Sequence, residues 1–458
     1  MAHYFKYHTL QQLTEEFERL QLSLAAQDDL SPLFRPLTVG PITLRNRLCI
    51  HPMEGCDGTI DGHPGELTLR RYQRFGAGGA SLIWGEAAAV LSEARANPRQ
   101  LIASVSHLTS LAKLVDTARK GHRETFGSEV LLGLQLTHSG RYSYQKPLIG
   151  VNDVLLDRRL TSHAHLLTDD ELKKLEDAYV EAAHVAYQAG FQFVDIKQCH
   201  RYLLNEMLSA RTRTGPYGGS FENRTRLARN IFTRIREQLP KLILATRINL
   251  FDGLPYHKAG DERGEADQTT LPLSNYWGTN PAIPEQADLQ EPLQWISEMR
   301  TLGVSLFNLT MGNPYASPHF LRPFEYPPPD GYQTPEHPLI GVDRHVKLAA
   351  QIQQHDPGVA CIGSGYSWLQ EFLPQVGAHN IAHGMISMVG IGRASLSQPD
   401  FAKQLMDHGK LDRKRVCRTF SYCTALMRSK HNAEGQFATG CPPFDKEVYG
   451  PIWKEAKQ

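Results

Sequence analysis

Short apolar runs recur along the chain, separated by stretches in which apolar residues return every three or four positions. The runs LCIHPM (48–53), SLIWG (81–85), VLLGLQL (130–136), FQFVDI (191–196), LILATR (242–247), VSLFNLT (304–310), VACIG (359–363) and ISMVGIG (386–392) predict eight strands. Several are apolar throughout, as parallel strands covered on both faces must be. The clearest helix between them is TDDELKKLEDAYVEAAHVAYQAG (168–190). Thr168 and Glu171 form a capping box, Leu172, Leu175 and Tyr179 line one face, and Gly190 stands where the helix should stop. Eight strand–helix alternations predict an α/β fold, a single (β/α)8 TIM barrel. A doubly wound sheet would carry a glycine-rich turn after its first strand, and PMEGCDG (52–58) lacks GxGxxG.

Three regions fall outside the repeat. Residues 1–45 form an N-terminal arm with an amphipathic helix marked by Leu10, Leu13, Phe17 and Leu20, residues 46–410 form the barrel, and 411–458 a C-terminal extension. Long polar, Pro- and Gly-rich insertions at 254–290 and 314–340 follow the fifth and sixth strands. In a barrel such loops lie on the C-terminal face, where they can act as lids.

Charge narrows the function classes. The 458 residues include 49 basic and 48 acidic side chains, a formal net charge of +1. This balance predicts no partnership with nucleic acid or an anionic membrane surface. No run of about 18 apolar residues suggests a membrane span, and the N-terminus lacks the apolar core of a secretory signal. Seven cysteines, an odd number without a CxxC pair, argue against a disulfide framework, and the 20 histidines are scattered, so no metal site is expected. A soluble, cytoplasmic protein is the expectation, with a homo-oligomer left open.

The chemistry collects where the strands end. His51, Glu54, Glu86, Gln135, His138, Lys197, His200, Arg247, Asn308 and Arg393 all sit at or just past a predicted strand terminus. On seven of eight strands this describes a polar, convergent mouth on an apolar barrel.

Here a family resemblance becomes specific. YLLNEMLSARTRTGPYGGSFENRTR (202–226), LRNRLCIHPM (44–53), EAAAV (86–90), QLTHSGRYSY (135–144), ATRINLFDG (245–253) and VGIGRASLSQPDF (389–401) resemble, in order, the motifs of the Old Yellow Enzyme and 2,4-dienoyl-CoA reductase family. The resemblance implies tightly bound FMN and two-electron transfer from NADH or NADPH to an acceptor. It implies that Pro52, Met53 and Ala87 lie against the flavin ring and that Gln135 reads its pyrimidine end with both a donor and an acceptor. It also implies that Arg247 stands beside the flavin N1 and O2, where a permanent cation stabilises the reduced, anionic form. Gly363, Ser364 and Gly365, with Gly392 and Arg393, would cradle the phosphate. Tyr202 matches the tyrosine that protonates one end of the reduced double bond, a task for a phenol that stays neutral at pH 7.

The chain also departs from the family pattern. Where relatives place a His-and-Asn or His-and-His pair to hold the substrate oxygen, DIKQCHRY (195–202) offers Lys197 and His200. Both can donate, but a lysine prefers anions, and it could instead pair with Glu54 or Glu86. The resemblance implies that Glu54 stands near the flavin C4a–O4 edge, where relatives carry small, hydroxyl, thiol or imidazole side chains. His319 sits roughly where dienoyl-CoA reductases place an active-site histidine, so it joins Tyr202, His200 and Lys197 as a catalytic candidate. The spacing Cys417-x5-Cys423-x17-Cys441 lacks the fourth ligand of those reductases' iron–sulfur cluster.

The leading expectation is NAD(P)H-driven reduction of an activated carbon–carbon double bond. Flavin-dependent oxidation of an amine or N-methyl compound, and FMN binding without catalysis, are the alternatives. The purified protein should be yellow and should release FMN, not FAD, on denaturation, because GSG paired with GIGR suits one terminal phosphate; chromatography of the released flavin reads the outcome.

Overall fold

A computed structural model describes residues 3–160 and 162–458. Eight parallel strands close into a barrel: β1 Leu48–Ile50, β2 Leu82–Ala89, β3 Leu131–Thr137, β4 Phe193–Ile196, β5 Ile243–Asn249, β6 Val304–Thr310, β7 Ala360–Gly363 and β8 Met388–Ile391. Neighbours in sequence are neighbours in the barrel, and β8 returns to pair with β1. The helices that follow them are α1 Glu66–Ala77, α2 Leu108–Phe126, α3 Asp169–Gln188, α4 Phe221–Gln238, α5 Gln290–Thr301, α6 Pro338–His355, α7 Leu373–Ala382 and α8 Phe401–His408. All eight expected strands are present. The α3 boundaries follow the caps: the Thr168 hydroxyl accepts from the Glu171 N–H, and Gly190 adopts φ 97° just past the end.

Alternation along each strand builds two cores. Outward residues pack under the helices, while Cys49, Leu82, Trp84, Leu131, Phe193, Ile243, Ala245, Leu306, Ile362 and Met388 fill the barrel interior. Gly133 makes room for that interior, since a Cβ there would lie 2.2 Å from the Phe193 ring. The arm contributes more than its helix Leu10–Arg19. A hairpin pairing Leu37–Val39 with Ile42–Leu44 adds Val39 and Leu44 to the interior core, and its turn lies against Ile243 at the start of β5. It therefore plugs the N-terminal end of the barrel and confines any cavity to the other end.

The two insertions differ in role. Residues 314–340 line the barrel mouth through Pro314, Tyr315, Leu321, Arg322, Pro323 and Asp330. The 254–290 insertion contributes no lining residue; it carries a small hairpin, and Tyr256 packs against the rings of His319 and Phe320 at 4.6 and 5.6 Å. It props the second insertion from behind. The C-terminal extension crosses the same mouth. The Thr439 N–H donates to the Gly55 carbonyl (2.7 Å), Ser421 Oγ to the Tyr326 carbonyl (2.7 Å), and Arg428 pairs with Asp330 (2.8 Å). Among the described residues no helix is long and apolar enough to cross a membrane.

One buried arginine ties the mouth together. Arg201 pairs with Asp153 (2.8 Å) and Asp252 (3.0 Å) and donates to the Asn275 carbonyl (2.8 Å), linking the loops after β3, β4 and β5. Removing one partner of a buried pair strands the remaining charges. Arg201→Met should therefore lower stability by about 3–5 kcal/mol, read from urea unfolding; a loss under about 1 kcal/mol would show that water takes over the two carboxylates.

Candidate active site

The C-terminal ends of the strands open into a cavity of about 610 Å³. Ten of the expected cofactor residues reach its wall: Pro52, Met53, Glu54, Ala87, Gln135, Arg247, Ser364, Gly365, Gly392 and Arg393. Lys197, His200 and Tyr202 join them. Gly363 does not line the cavity, because β7 ends there and the chain turns into it only at Ser364. His319 is also outside the wall: it is buried, bonded through Nδ1 to the Tyr332 hydroxyl (2.7 Å) and enclosed by Tyr256 and Phe320. Its role as a catalytic candidate is thus not met by its position.

Two polar strand ends also turn elsewhere. A register shift between Trp84 and Ala87 in β2 accompanies a Glu86 that faces α1, where its carboxylate meets Arg71 at 2.9 Å. Arg71 also holds Asp57 at 2.8 Å. His138 accepts from the Gly140 N–H within its own turn.

Behind the wall residues Gln135 and Arg247 lies Asp195, fully buried on β4. One of its oxygens accepts from Trp84 Nε1 (2.7 Å) and Gln135 Nε2 (2.6 Å), the other from the Arg247 N–H (2.7 Å). Because a carboxylate only accepts, the Gln135 amide must point its NH₂ at Asp195, which leaves its carbonyl oxygen for the cavity. The Arg247 guanidinium has no carboxylate partner among the described residues, and its Nε is buried without a hydrogen bond. A buried cation so placed has an unmet demand for an anion. On the opposite side, Arg393 donates to the Pro323 carbonyl (2.6 Å) and leaves NH1 buried and unpartnered. Gly365, at φ 94°, brings backbone to this point where a Cβ would meet the His345 ring at 2.9 Å.

The remaining wall is set by burial. His51 accepts from Asn308 Nδ2 (3.0 Å) and meets the Ser364 hydroxyl (3.1 Å), and burial holds its pKa well below the usual imidazole value. Burial, aided by Arg247 and Lys197, does the same to His200. Burial pushes the Glu54 carboxyl up to about 7, against the pull of Lys197, while Asn97 Nδ2 donates to it. Lys197 is lowered to about 8 by burial. Its ammonium sits 3.7 Å from the centroid of the Tyr202 ring and makes no ion pair among the described residues. Tyr202 is raised well above the ordinary phenol value by burial, so it is neutral, and its hydroxyl lies 3.2 Å from that of Tyr315.

The sequence profile of the NADH:flavin oxidoreductase / NADH oxidase family matches residues 32–272. The chain belongs to that family. Among curated relatives it is similar to the NADPH dehydrogenase of Halalkalibacterium halodurans, 33% identical over 211 residues, which is 44% of this chain and 59% of that protein. The NADPH dehydrogenase of Bacillus subtilis is 31% identical over 212 residues, 45% of this chain and 60% of that one. The matched part thus spans about three-fifths of these relatives. Among solved structures, the fold resembles a 2-naphthoyl-CoA reductase in complex with 2-naphthoyl-CoA (TM-score 0.68, 18% identity, 93% of this chain and 58% of that one). It also resembles the old yellow enzyme homologue from Zymomonas mobilis (TM-score 0.61, 19% identity, 85% and 96%).

The family's flavin, FMN, suits the unmet groups of the cavity. Gln135 Oε1 and Arg247 offer an acceptor and a cation side by side, and Arg393 with Gly365 offers a cation and exposed backbone for a phosphate. Several wall residues had escaped the sequence reading. Arg322, Tyr315, Arg428 and Asn97 come from loops with no period to mark them, whereas Asp195, behind the wall, had a signal as a lone acid inside the apolar run FQFVDI. Arg322 lines the cavity with Nε and NH2 buried and unpartnered, and burial, with Arg428 and Arg393, lowers its pKa to about 9. The free thiols Cys417, Cys423 and Cys441 belong to the extension, and Cys423 lies in the wall.

Lys197 is charged below about pH 8 and Glu54 gains its charge above about pH 7. Affinity for an anionic ligand should therefore be highest below pH 7 and fall as pH rises through 7 to 8, as followed by perturbation of the flavin spectrum. Lys197→Met should flatten that profile and weaken binding roughly ten- to a hundredfold, the loss of one charge-assisted hydrogen bond. With no carboxylate partner to strand, it should keep its melting temperature and flavin content.

Proposed function

We propose that this chain is an FMN-dependent NAD(P)H oxidoreductase that reduces an activated carbon–carbon double bond in a neutral or anionic small molecule. The observation that carries the reading is one wall holding an unpaired buried guanidinium, Arg247, and a neutral buried phenol, Tyr202. Gln135 and Arg247 would hold the pyrimidine end of FMN, and Ser364, Gly365, Gly392 and Arg393 its phosphate. Bound FMN supplies the two-electron carrier between the nicotinamide donor and the acceptor.

The protein's own groups then divide the work. Lys197 and His200 donate hydrogen bonds to an electron-withdrawing oxygen of the acceptor and draw charge toward it. Tyr202 holds a proton at the carbon end of the developing carbanion. The insertion and the C-terminal extension narrow the mouth and limit water. An amine substrate in its cationic form would meet the ammonium of Lys197 and the guanidinium of Arg322, so electrostatics favours an acceptor without positive charge. The similar proteins, NADPH dehydrogenases and a 2-naphthoyl-CoA reductase, support the same class of chemistry.

Tyr202→Phe should leave flavin reduction by NADPH nearly intact and slow reoxidation by an enone on the order of 10²–10⁴-fold, the usual contribution of a positioned acid. Anaerobic stopped-flow separates the half-reactions; equal slowing of both would make the tyrosine structural.

A further inference from the structure

Tyr202 can give its proton only once before it must be refilled. It is 5% exposed, and among the described residues its hydroxyl bonds to one group alone, the Tyr315 hydroxyl at 3.2 Å. Tyr315 belongs to the 314–340 insertion and, though closely surrounded, keeps 44% of its surface exposed. Its place is fixed from two sides. The Tyr315 backbone N–H donates to Asn313 Oδ1 (2.9 Å), and its ring lies 4.3 Å from that of Tyr142. Asn313 Nδ2 in turn donates to the Tyr142 hydroxyl (2.5 Å), and Tyr142 meets Tyr202 ring to ring, edge-on at 5.7 Å, with no hydrogen bond between their hydroxyls. Lys197 approaches the face of the Tyr202 ring rather than its oxygen.

We propose that Tyr315 is the proton relay that recharges Tyr202 from solvent after each turnover. The inference rests on Tyr202 being the acid of the proposed reduction. In that reaction one carbon of the acceptor bond would gain a hydride, carrying both electrons, from the reduced flavin, and the other carbon a proton from Tyr202. The Tyr202 phenolate then takes the Tyr315 hydroxyl proton across the shared hydrogen bond, and Tyr315 takes one from water at the mouth. The net addition is one hydride and one solvent proton, with both phenols restored. Burial raises both phenols, so both are neutral at rest, and it is the phenolate left at Tyr202 after it gives its proton that draws the next one across the shared bond.

A relay has a kinetic signature that a structural residue lacks. In the Tyr315→Phe holoenzyme, Tyr202 starts protonated, so the first anaerobic reoxidation by an enone should run within about twofold of wild type. Steady-state turnover should then fall on the order of tenfold or more. Proton uptake from solution, followed with an indicator dye, should coincide with the first reoxidation in wild type and lag behind it in the variant. Flavin content and melting temperature serve as controls for the fold. A first turnover as slow as the later ones, or steady-state turnover and proton uptake like wild type, removes the relay. If Tyr202→Phe itself keeps a normal first reoxidation, the underlying assignment of the acid fails instead.

Discussion

A single carboxylate inside the barrel organises the candidate site. Burying Asp195 is costly, and three donors from three other strands offset that cost: the Trp84 indole, the Gln135 amide and the Arg247 backbone. The bonds lock four adjacent strands at one level and fix which end of the Gln135 amide faces the cavity. They also satisfy Asp195 without using the Arg247 side chain. Below this level the interior is apolar and plugged by the arm's hairpin; above it the wall is polar. The site therefore lies where packing ends and unmet polar groups begin.

Those unmet groups are mostly cationic. Arg247, Arg322 and Arg393 keep buried nitrogens without partners, and Lys197 rests on an aromatic face instead of a carboxylate. Two acids that could have neutralised them are placed otherwise. Glu86 faces the helix layer with Arg71, and burial holds Glu54 to a pKa near neutrality. An enclosed cavity in this state favours ligands that bring phosphate, carboxylate or polarised carbonyl oxygen.

Precision at the mouth comes with local strain. His200 and Arg201 both adopt positive φ, 65° and 61°, which costs on the order of 1 kcal/mol for each side chain of this kind. The buried pairs of Arg201 with Asp153 and Asp252 hold that turn, and the turn delivers Tyr202 to the cavity. The C-terminal extension completes the enclosure from a region that has no strand of the barrel, so lid and barrel are joined by hydrogen bonds rather than by sheet.

Residue pattern alone determined the barrel. Eight apolar runs at regular spacing can bury both faces of parallel strands in few other ways, and β6 and the caps of α3 fall where the pattern placed them. The motifs at the strand ends likewise marked the part of the wall that the barrel itself supplies, because a strand's terminus fixes the height of the next side chain. Side-chain direction beyond that point was decided only by tertiary structure. The irregular register of β2 sends Glu86 away from the mouth, the end of β7 leaves Gly363 behind it, and a tyrosine-lined pocket encloses His319. Arg322, Tyr315 and Arg428 reach the cavity from loops and an extension, where no periodicity links sequence position to orientation and only contacts with distant residues set the geometry.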